Sequence, residues 1–193
     1  CIYCMKFVLF NLEVDTMGSV WRLQTRTDSS SGEKISKYCL DNDVAALGWS
    51  IKDDHIKHYN PEAIIEIQEK RNQIENIDQY YDVIRTYGLY GMNQKKRLVA
   101  VDMLSEVEKG DYIWMRDNGI YYLGRVNEDS NFTYNCDKDA LDFDAANQIT
   151  GIKWERIGDE SQVPGAVATA FIRGRTIQRI NKDYMFEYAE YAF

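Results

Sequence analysis

The strongest structural signal in this sequence is a short turn, Asp117-Asn118-Gly119, between two segments rich in β-forming residues, 111–116 and 120–126. An Asn-Gly pair in such a position favours a tight hairpin turn, because both central residues need a positive φ that these two residue types tolerate. The sequence therefore predicts an antiparallel hairpin, and any fold proposed for the chain has to contain a β-sheet.

The residues before this hairpin follow a helical pattern instead. Asn60 and Pro61 form a favourable helix start, and Asp78 begins a second helix. A third helix is indicated by apolar residues at helical spacing, which are Leu98, Val101, Leu104 and Val107. Gly110 then stands where a helix-terminating glycine belongs. We therefore predict a helical insert over 60–109.

Strands are predicted on both sides of this insert. The predicted strands are 5–14, 20–27, 43–50, 132–135 and 151–157, in addition to the hairpin. A short helix is expected over 35–42, a loop over 137–146, a turn at Pro164-Gly165 and a C-terminal helix from 176 to about 191. This order predicts an α+β fold, namely a small mixed β-barrel over 5–180 with helices packed on its side. The C-terminal helix, within 176–193, either packs on the barrel or leads to a further domain.

Composition narrows the class of protein. The chain has 193 residues and a net charge of −8, which disfavours a generic polyanion binder. No run of about 18 apolar residues occurs, so no membrane span is expected. The cysteines are few and scattered, and the C-x-x-C of Cys1 and Cys4 has no second pair to complete a zinc site. A reducing, cytoplasmic location without a bound metal is the resulting expectation.

Three segments resemble one known family. The first is Ala45-Ala46-Leu47-Gly48-Trp49, a strand followed by Gly-Trp. The second is Lys109-Gly110-Asp111-Tyr112-Ile113-Trp114 with the following Tyr121-Tyr122-Leu123-Gly124-Arg125-Val126, and the third is Ile152-Lys153-Trp154. Their order and spacing are similar to those of the PUA-like superfamily, in particular the EVE-type domains of modification-dependent restriction systems. The resemblance covers about 5–180 and implies a small barrel that reads a base in a pocket opened by the Gly-Trp segment.

Aromatic residues are the candidates for such a pocket. A base outside its stack offers a flat face for aromatic stacking and an edge for hydrogen bonds. The candidate base-binding residues are Trp49, Trp21, Ser50, Trp114 and Tyr122. Each has a structural alternative, because large aromatic residues are usually buried. Trp49 could belong to the core, and Trp21 could close the barrel. Trp154 fits a core position better.

A local basic segment could contact phosphates. Between residues 151 and 182 there are six lysine or arginine residues and three acidic ones. The candidate phosphate ligands are Arg173, Arg175, Arg179 and Lys153, since arginine presents a planar fork of donors. The alternative is a solvated basic surface at the start of a helix.

Catalytic motifs are not found in the sequence. His55 and His58 form H-x-x-H without the glutamate of a zinc-protease motif. Glu66, Glu69 and Lys70 have nuclease-like types but fall on a predicted helix. We therefore expect no catalytic residue and no cofactor in this chain.

Three hypotheses for function remain open. The first is a non-catalytic module that recognises a modified or flipped base in DNA in a restriction or defence system, acting with a nuclease or NTPase domain or subunit. The second is an RNA-binding PUA-like domain. The third is a protein-interaction module that does not touch nucleic acid. The net charge favours the third hypothesis, and the order of the motifs favours the first.

Overall fold

The computed structural model describes residues 18–25, 34–91, 98–172 and 174–193. Within them the chain is an α+β fold with two β-sheets, which confirms the α+β part of the fold prediction. The predicted first strand, over 5–14, and the cysteine pair Cys1 and Cys4 lie outside the described residues.

The helices and strands are short, and most of the helices before the hairpin follow one another directly. The strands are β1 (Val20–Leu23), β2 (Ala45–Leu47), β3 (Tyr112–Asp117), β4 (Ile120–Val126), β5 (Phe132–Tyr134), β6 (Asn147–Ile149), β7 (Ile152–Gly158) and β8 (Ile177–Arg179). The helices are α1 (Ile35–Asp41), α2 (Asp53–Tyr59), α3 (Ile64–Arg71), α4 (Ile77–Thr86), α5 (Val99–Ser105), α6 (Lys138–Asp142), α7 (Gly165–Ile172) and α8 (Met185–Ala192). Single 3₁₀ turns precede α3 and α7, at Pro61–Ala63 and Glu160–Gln162.

The two sheets differ in size and in strand direction. The larger sheet has the order β7-β4-β3-β1-β8, with β1 parallel to β3 and the other neighbours antiparallel. The smaller sheet is antiparallel, in the order β2-β6-β5. In the described part of the chain these strands do not close into the barrel that the sequence predicted. Strands from early and late in the chain instead pair within two separate sheets.

The predicted hairpin is confirmed. Strands β3 and β4 pair antiparallel from Tyr112 opposite Arg125 to Asp117 opposite Ile120. Asn118 and Gly119 have φ values of +47° and +85°, the left-handed conformations that the tight turn requires.

The larger sheet is covered on both faces. Successive residues of a strand point to opposite sides, so one strand contributes side chains to both covered faces. On β3, Ile113 and Met115 belong to a core that also includes the smaller sheet and the insert helices α3, α4 and α5. Tyr112 and Trp114 belong to a second core under α7 and α8. Each large apolar side chain buried in this way contributes roughly 1.5–3 kcal/mol. The sheet is therefore the middle layer of the molecule.

The helical insert begins differently from the prediction. Asn60 ends α2, and its side-chain amide donates to the carbonyl of Tyr87 at 3.3 Å. Pro61 opens the 3₁₀ turn before α3. Helix α4 begins at Ile77, one residue before Asp78, because the side chain of Asn76 accepts a hydrogen bond from the backbone N–H of Gln79.

The C-terminal region contains the largest corrections. The predicted helix from 176 to 191 is wrong in its first half, where β8 pairs with β1. Only Met185–Ala192 is helical. Pro164-Gly165 is the start of α7 and not an isolated turn, and the predicted loop over 137–146 contains α6.

Candidate functional site

The segment after β2 forms a sharp turn, residues 48–51, which we call the Trp49 turn. Trp49 has a φ of +67°, a left-handed conformation that costs a residue other than glycine roughly 1–2 kcal/mol. Such a conformation persists only where the surrounding structure enforces it, and it is frequent at functional sites. The half-buried Trp49 side chain packs against the main core on one side.

Three tyrosine hydroxyls hold consecutive backbone groups of this turn. The hydroxyl of Tyr80 donates to the carbonyl of Trp49 at 2.8 Å, and that of Tyr90 donates to the carbonyl of Ser50 at 2.7 Å. The backbone N–H of Ile51 donates to the hydroxyl of Tyr134 at 2.7 Å. Burial raises the pKa of all three tyrosines above the ordinary value, so the hydroxyls stay protonated. Helix α4, the residues that follow it and β5 together impose the shape of the turn.

Asp144 fixes the same turn from the other side. Its carboxylate accepts a hydrogen bond of 2.9 Å from the backbone N–H of Ser50. A Cβ atom on Gly48 would lie 2.7 Å from the second carboxylate oxygen, so this position has no room for a side chain. Asn147, from β6, donates its side-chain amide to the carbonyls of Gly48 at 3.1 Å and Trp49 at 3.3 Å.

A cavity of about 130 Å³ opens beside the Trp49 turn. Its lining comes from four parts of the chain, which are Gln24 and Thr25, Ile35, residues 46–49 and residues 174–176. The backbone N–H of Gln24 donates to the carbonyl of Thr176 at 2.7 Å and joins the first part to the last. We call this space the Trp49 cavity.

The cavity brings together two residues that the sequence had singled out separately. Trp49 forms one wall, and the exposed Arg175 stands in the lining contributed by 174–176. An indole face beside a guanidinium group can hold a flat ring and an anionic group attached to it.

Ser50 does not face the cavity. The residue is fully buried, and its hydroxyl accepts a hydrogen bond of 3.1 Å from the backbone N–H of Ala146. Its predicted contact with a base edge is therefore replaced by a structural role in the Trp49 turn.

Trp21 is also structural. It is fully buried, and its indole N–H donates to the carboxylate of Asp111 at 2.7 Å. The same carboxylate accepts from the backbone N–H groups of Ser19 and Glu108, and so ties β1 to the start of the hairpin. Trp21 is not among the described residues that line the Trp49 cavity.

Trp114 and Tyr122 lie on the larger sheet, away from the lining of the Trp49 cavity. Trp114 is fully buried in the second core, and its ring stacks on Tyr188 of α8 at 6.4 Å between centroids. Trp114 points to the opposite side of β3 from Ile113, and that side is covered by α7 and α8 and is not a cleft. Tyr122 is half-buried on β4, opposite Met115 and Arg156.

Two of the other predicted phosphate ligands, Lys153 and Arg179, have intramolecular contacts. Lys153 lies 3.1 Å from Glu155 and over the ring of Phe193. Arg179 lies 4.6 Å from the centre of the Trp21 ring and 3.8 Å from Glu106. Arg173 lies outside the described residues.

Two cavity residues were missed in the sequence. The Thr25 hydroxyl is buried and has no hydrogen-bond partner among the described residues. The Gln24 side-chain oxygen accepts a hydrogen bond from the buried guanidinium of Arg22, which also donates to the carbonyl of Ala170 at 3.1 Å. Neither residue carries a sequence signal, because both simply continue a predicted strand.

The acidic residues after the Trp49 turn belong to α2. Asp53 and Asp54 lie in its first turn, where carboxylates favour the helix dipole. Asp53 also pairs with Arg71 at 2.7 Å. In the described ranges no group of three or more His, Cys, Asp or Glu side chains is arranged to hold a metal ion.

No protein-family model, curated protein or solved structure matches this chain. Among the helices of the described residues, none has the length and apolar character needed to cross a membrane.

Proposed function

We propose that this chain is a non-catalytic nucleic-acid-binding module that takes one modified or flipped DNA base into the Trp49 cavity. The observation that supports this most is the conformation of Trp49. A tryptophan is held in a strained left-handed turn by six hydrogen bonds to the backbone of residues 48–51, and it lines an open cavity. Structure that enforces strain at one aromatic residue suits a binding wall better than a core position.

The energetics of base recognition fit this arrangement. Stacking of a base on an aromatic side chain contributes about 1–3 kcal/mol. Arg175 can meet the phosphate that enters with the base. The net charge of −8 opposes binding along a whole duplex, because such binding depends on contacts with many phosphates. Recognition of one base in one pocket needs fewer phosphate contacts and suits this protein better.

The sequence resemblance and the cysteines bear on the cellular setting of the proposed function. The resemblance of the three sequence segments to EVE-type domains supports a role in restriction or defence, in which a nuclease or NTPase domain or subunit would act on the site that this module selects. The thiols of Cys39 and Cys136 are both free, which suits the reducing cytoplasm.

The test is a titration of the protein against labelled oligonucleotides that differ in one modified base. Trp49→Ala should weaken binding about 5- to 100-fold, the loss that corresponds to one stacking contact. Tyr191→Ala is the matched control, since Tyr191 is an aromatic residue of α8 that is 91% exposed and does not line the cavity. Parallel titrations against single-stranded and duplex DNA and against RNA would separate a DNA reader from an RNA-binding domain.

Two results would refute the proposal. One is negligible, salt-insensitive binding to every oligonucleotide, which would leave a protein-interaction role. The other is tight binding that Trp49→Ala and Tyr191→Ala affect equally, which would place the contact elsewhere on the surface.

A further inference from the structure

The chain leaves the Trp49 cavity along an exposed basic segment. The cavity is open to solvent beside Gly174 and Arg175, and both residues are exposed. From there the chain continues through β8 to Lys182, and residues 173–182 include four basic side chains and no acidic one. In a protein with a net charge of −8, this segment is a local positive exception. A nucleic-acid strand whose base occupies the cavity is therefore attracted along it.

A groove lies at the far end of this segment, and we call it the Tyr184 groove. It is lined by α7, by residues 178–182 and by Tyr184. The α7 residues in the lining are glycine, alanine and threonine, at 165, 166, 169 and 170, so the helix presents only small side chains to the groove. Residues 181–184 are all exposed. A ligand can therefore reach the groove from solvent.

Strand β8 links the cavity to the groove. In the described part of the chain it lies at the edge of the larger sheet, with β1 as its neighbour. A fully extended chain covers at most about 3.6 Å per residue, so Arg175 and Lys182 lie no more than about 25 Å apart. A short strand of nucleic acid can cover that distance, since modules that bind single strands contact about 4–16 nucleotides.

We propose that DNA binds to this protein as a single strand, whose recognised base occupies the Trp49 cavity while the neighbouring nucleotides follow β8 into the Tyr184 groove. Arg175 and Lys182 then contact phosphates, and the ring of Tyr184 stacks on a second base. This inference rests on the proposed function and adds to it the strand state of the DNA and a second contact site.

Tyr184 has the properties of a stacking residue. It is 51% exposed although it is a large aromatic residue, and it immediately precedes α8. The next residue, Met185, is fully buried in the second core. The backbone beside Tyr184 is therefore anchored while its ring is available to solvent. Such a ring can stack on any base, since every base has a flat face.

Stacking on Tyr184 favours a single strand over a duplex. In a duplex both faces of each base are covered by neighbouring base pairs, so a new stacking contact first requires a base to leave its stack, which costs free energy. A single strand offers the faces of its bases more readily. The second contact site therefore distinguishes the two forms of DNA.

The phosphate contacts fall to the two ends of the basic segment. Arg179, between them, lies 3.8 Å from Glu106, whose carboxylate offsets its charge. Arg175 and Lys182 are both exposed. Asp183 follows Lys182 and lines the adjoining surface, so the positive segment ends there. The bound strand is therefore expected to end its contact at the groove.

The experiment compares ligands of different length and strand state. The base 5-methylcytosine, 5-hydroxymethylcytosine or N6-methyladenine is placed at the centre of a trinucleotide, of a single strand of about 12 nucleotides and of the matching duplex. Each ligand is titrated against the full chain. We expect the longer single strand to bind at least about tenfold more tightly than the trinucleotide, because it adds a stacking and a phosphate contact, and to bind more tightly than the duplex.

Variants of Tyr184 test the stacking contact. Tyr184→Ala should weaken binding of the longer strand about 5- to 100-fold and leave trinucleotide binding unchanged. Tyr184→Phe keeps the ring and should retain the tighter binding. Tyr191→Ala is the matched control, since Tyr191 is an exposed aromatic residue of α8 that lines neither the Trp49 cavity nor the Tyr184 groove.

A variant of Lys182 tests the phosphate contact. Lys182→Ala should lower the slope of log K against log salt for the longer strand by about 0.7, the value for one phosphate contact on a single strand. Lys70→Ala is the control, because Lys70 is an exposed lysine of α3 that lines neither site. It should leave the slope unchanged.

The outcomes separate this inference from the proposed function. If the trinucleotide binds in a manner that Trp49→Ala abolishes, but the longer strand binds no more tightly, the groove has no role while the base-binding function stands. The single-strand assignment is equally wrong if the duplex binds as tightly as the single strand, or if Tyr184→Ala and Tyr191→Ala have equal effects. If no oligonucleotide binds, both proposals fall together.

Discussion

The hydroxyl of Tyr80 donates a hydrogen bond of 2.8 Å to the main-chain carbonyl of Trp49, across 31 residues of sequence. Tyr80 lies in α4 and is fully buried, whereas Trp49 lies beside the cavity. The helical insert therefore contacts the backbone of the candidate site directly, through this hydroxyl and also through Tyr90 and Arg71, which donate to the carbonyls of Ser50 and Ile51. The insert therefore helps to fix the backbone conformation of Trp49.

The first prediction concerns a variant that lacks the Tyr80 hydroxyl. Tyr80→Phe should lower the free energy of unfolding by about 1 kcal/mol, since it deletes one buried hydrogen bond, and it should weaken base binding severalfold. Denaturant unfolding and the oligonucleotide titration measure the two effects. Tyr81→Phe is the matched control, because the hydroxyl of Tyr81 bonds to Asp102 and not to the Trp49 turn. Equal losses of binding in the two variants would contradict a specific role for Tyr80.

The left-handed backbone of Trp49 gives a second prediction. Trp49→Gly and Trp49→Ala both remove the indole, but glycine accepts a φ of +67° and alanine does not. The glycine variant should therefore be more stable than the alanine variant by about 1 kcal/mol, the reverse of their order in most ordinary positions. Thermal and denaturant unfolding of the pair provide the measurement. A more stable alanine variant would show that the turn relaxes once the indole is gone.

The contact between Gly48 and Asp144 gives a third prediction. Gly48→Ala should destabilise the protein by about 1–3 kcal/mol, because the new methyl group meets the carboxylate that holds the N–H of Ser50. In a background of Asp144→Gly the carboxylate is gone, and the φ of +54° at residue 144 suits glycine. Gly48→Ala should then cost much less. Additive effects in this double-mutant cycle would mean that the two residues do not interact.

Arg175 and Arg179 were predicted together as phosphate ligands, but the structure distinguishes them. Arg175 is exposed in the cavity lining, whereas Arg179 lies over Trp21 and near Glu106. Arg175→Ala should reduce the slope of log K against log salt by about one, as expected for one phosphate contact. Arg179→Ala should leave that slope unchanged. The measurement is a titration at several salt concentrations between about 50 and 200 mM.

Cys39 gives a prediction about pH. Burial raises the pKa of its thiol to about 12, whereas a thiol in the unfolded chain ionises near 8.5. Below about pH 8.5 the Cys39 thiol is protonated in both the folded and the unfolded chain, so its burial costs no stability through ionisation. As the pH rises from there towards 12, only the unfolded chain loses the proton, so stability falls by up to about 1.4 kcal/mol per pH unit.

The check uses the mildly alkaline range in which a thiol of the unfolded chain begins to ionise. Between about pH 7.5 and 9.5 the free energy of unfolding should fall less steeply for Cys39→Ala than for the wild type. Cys136→Ala is the control, since Cys136 is only half-buried. Equal slopes for the wild type and Cys39→Ala would show that the thiol is not kept protonated by the fold.

Local sequence signals predicted the local structure well. The Asn118-Gly119 turn identified the hairpin, because asparagine and glycine tolerate the positive φ values that both central residues of a tight turn need. The segment ending in Gly48-Trp49 likewise lies where the sequence placed a candidate wall, at the end of a buried strand.

Features that depend on distant contacts could not be read from the sequence. Residues 177–179 follow a helical pattern but form β8, because pairing with β1 overrides local preference. Trp21 and Trp114 were also predicted as candidates for lining a pocket. Their burial follows from Asp111, 90 residues from Trp21, and from the helices α7 and α8, whose positions no local pattern specifies.

The hydrogen bond between Gln24 and Thr176 has a consequence for biosynthesis. The cavity needs residues from both ends of this pairing, so a nascent chain that has not yet released residue 176 from the ribosome lacks one side of it. Completion of the cavity therefore waits for β8 to pair with β1.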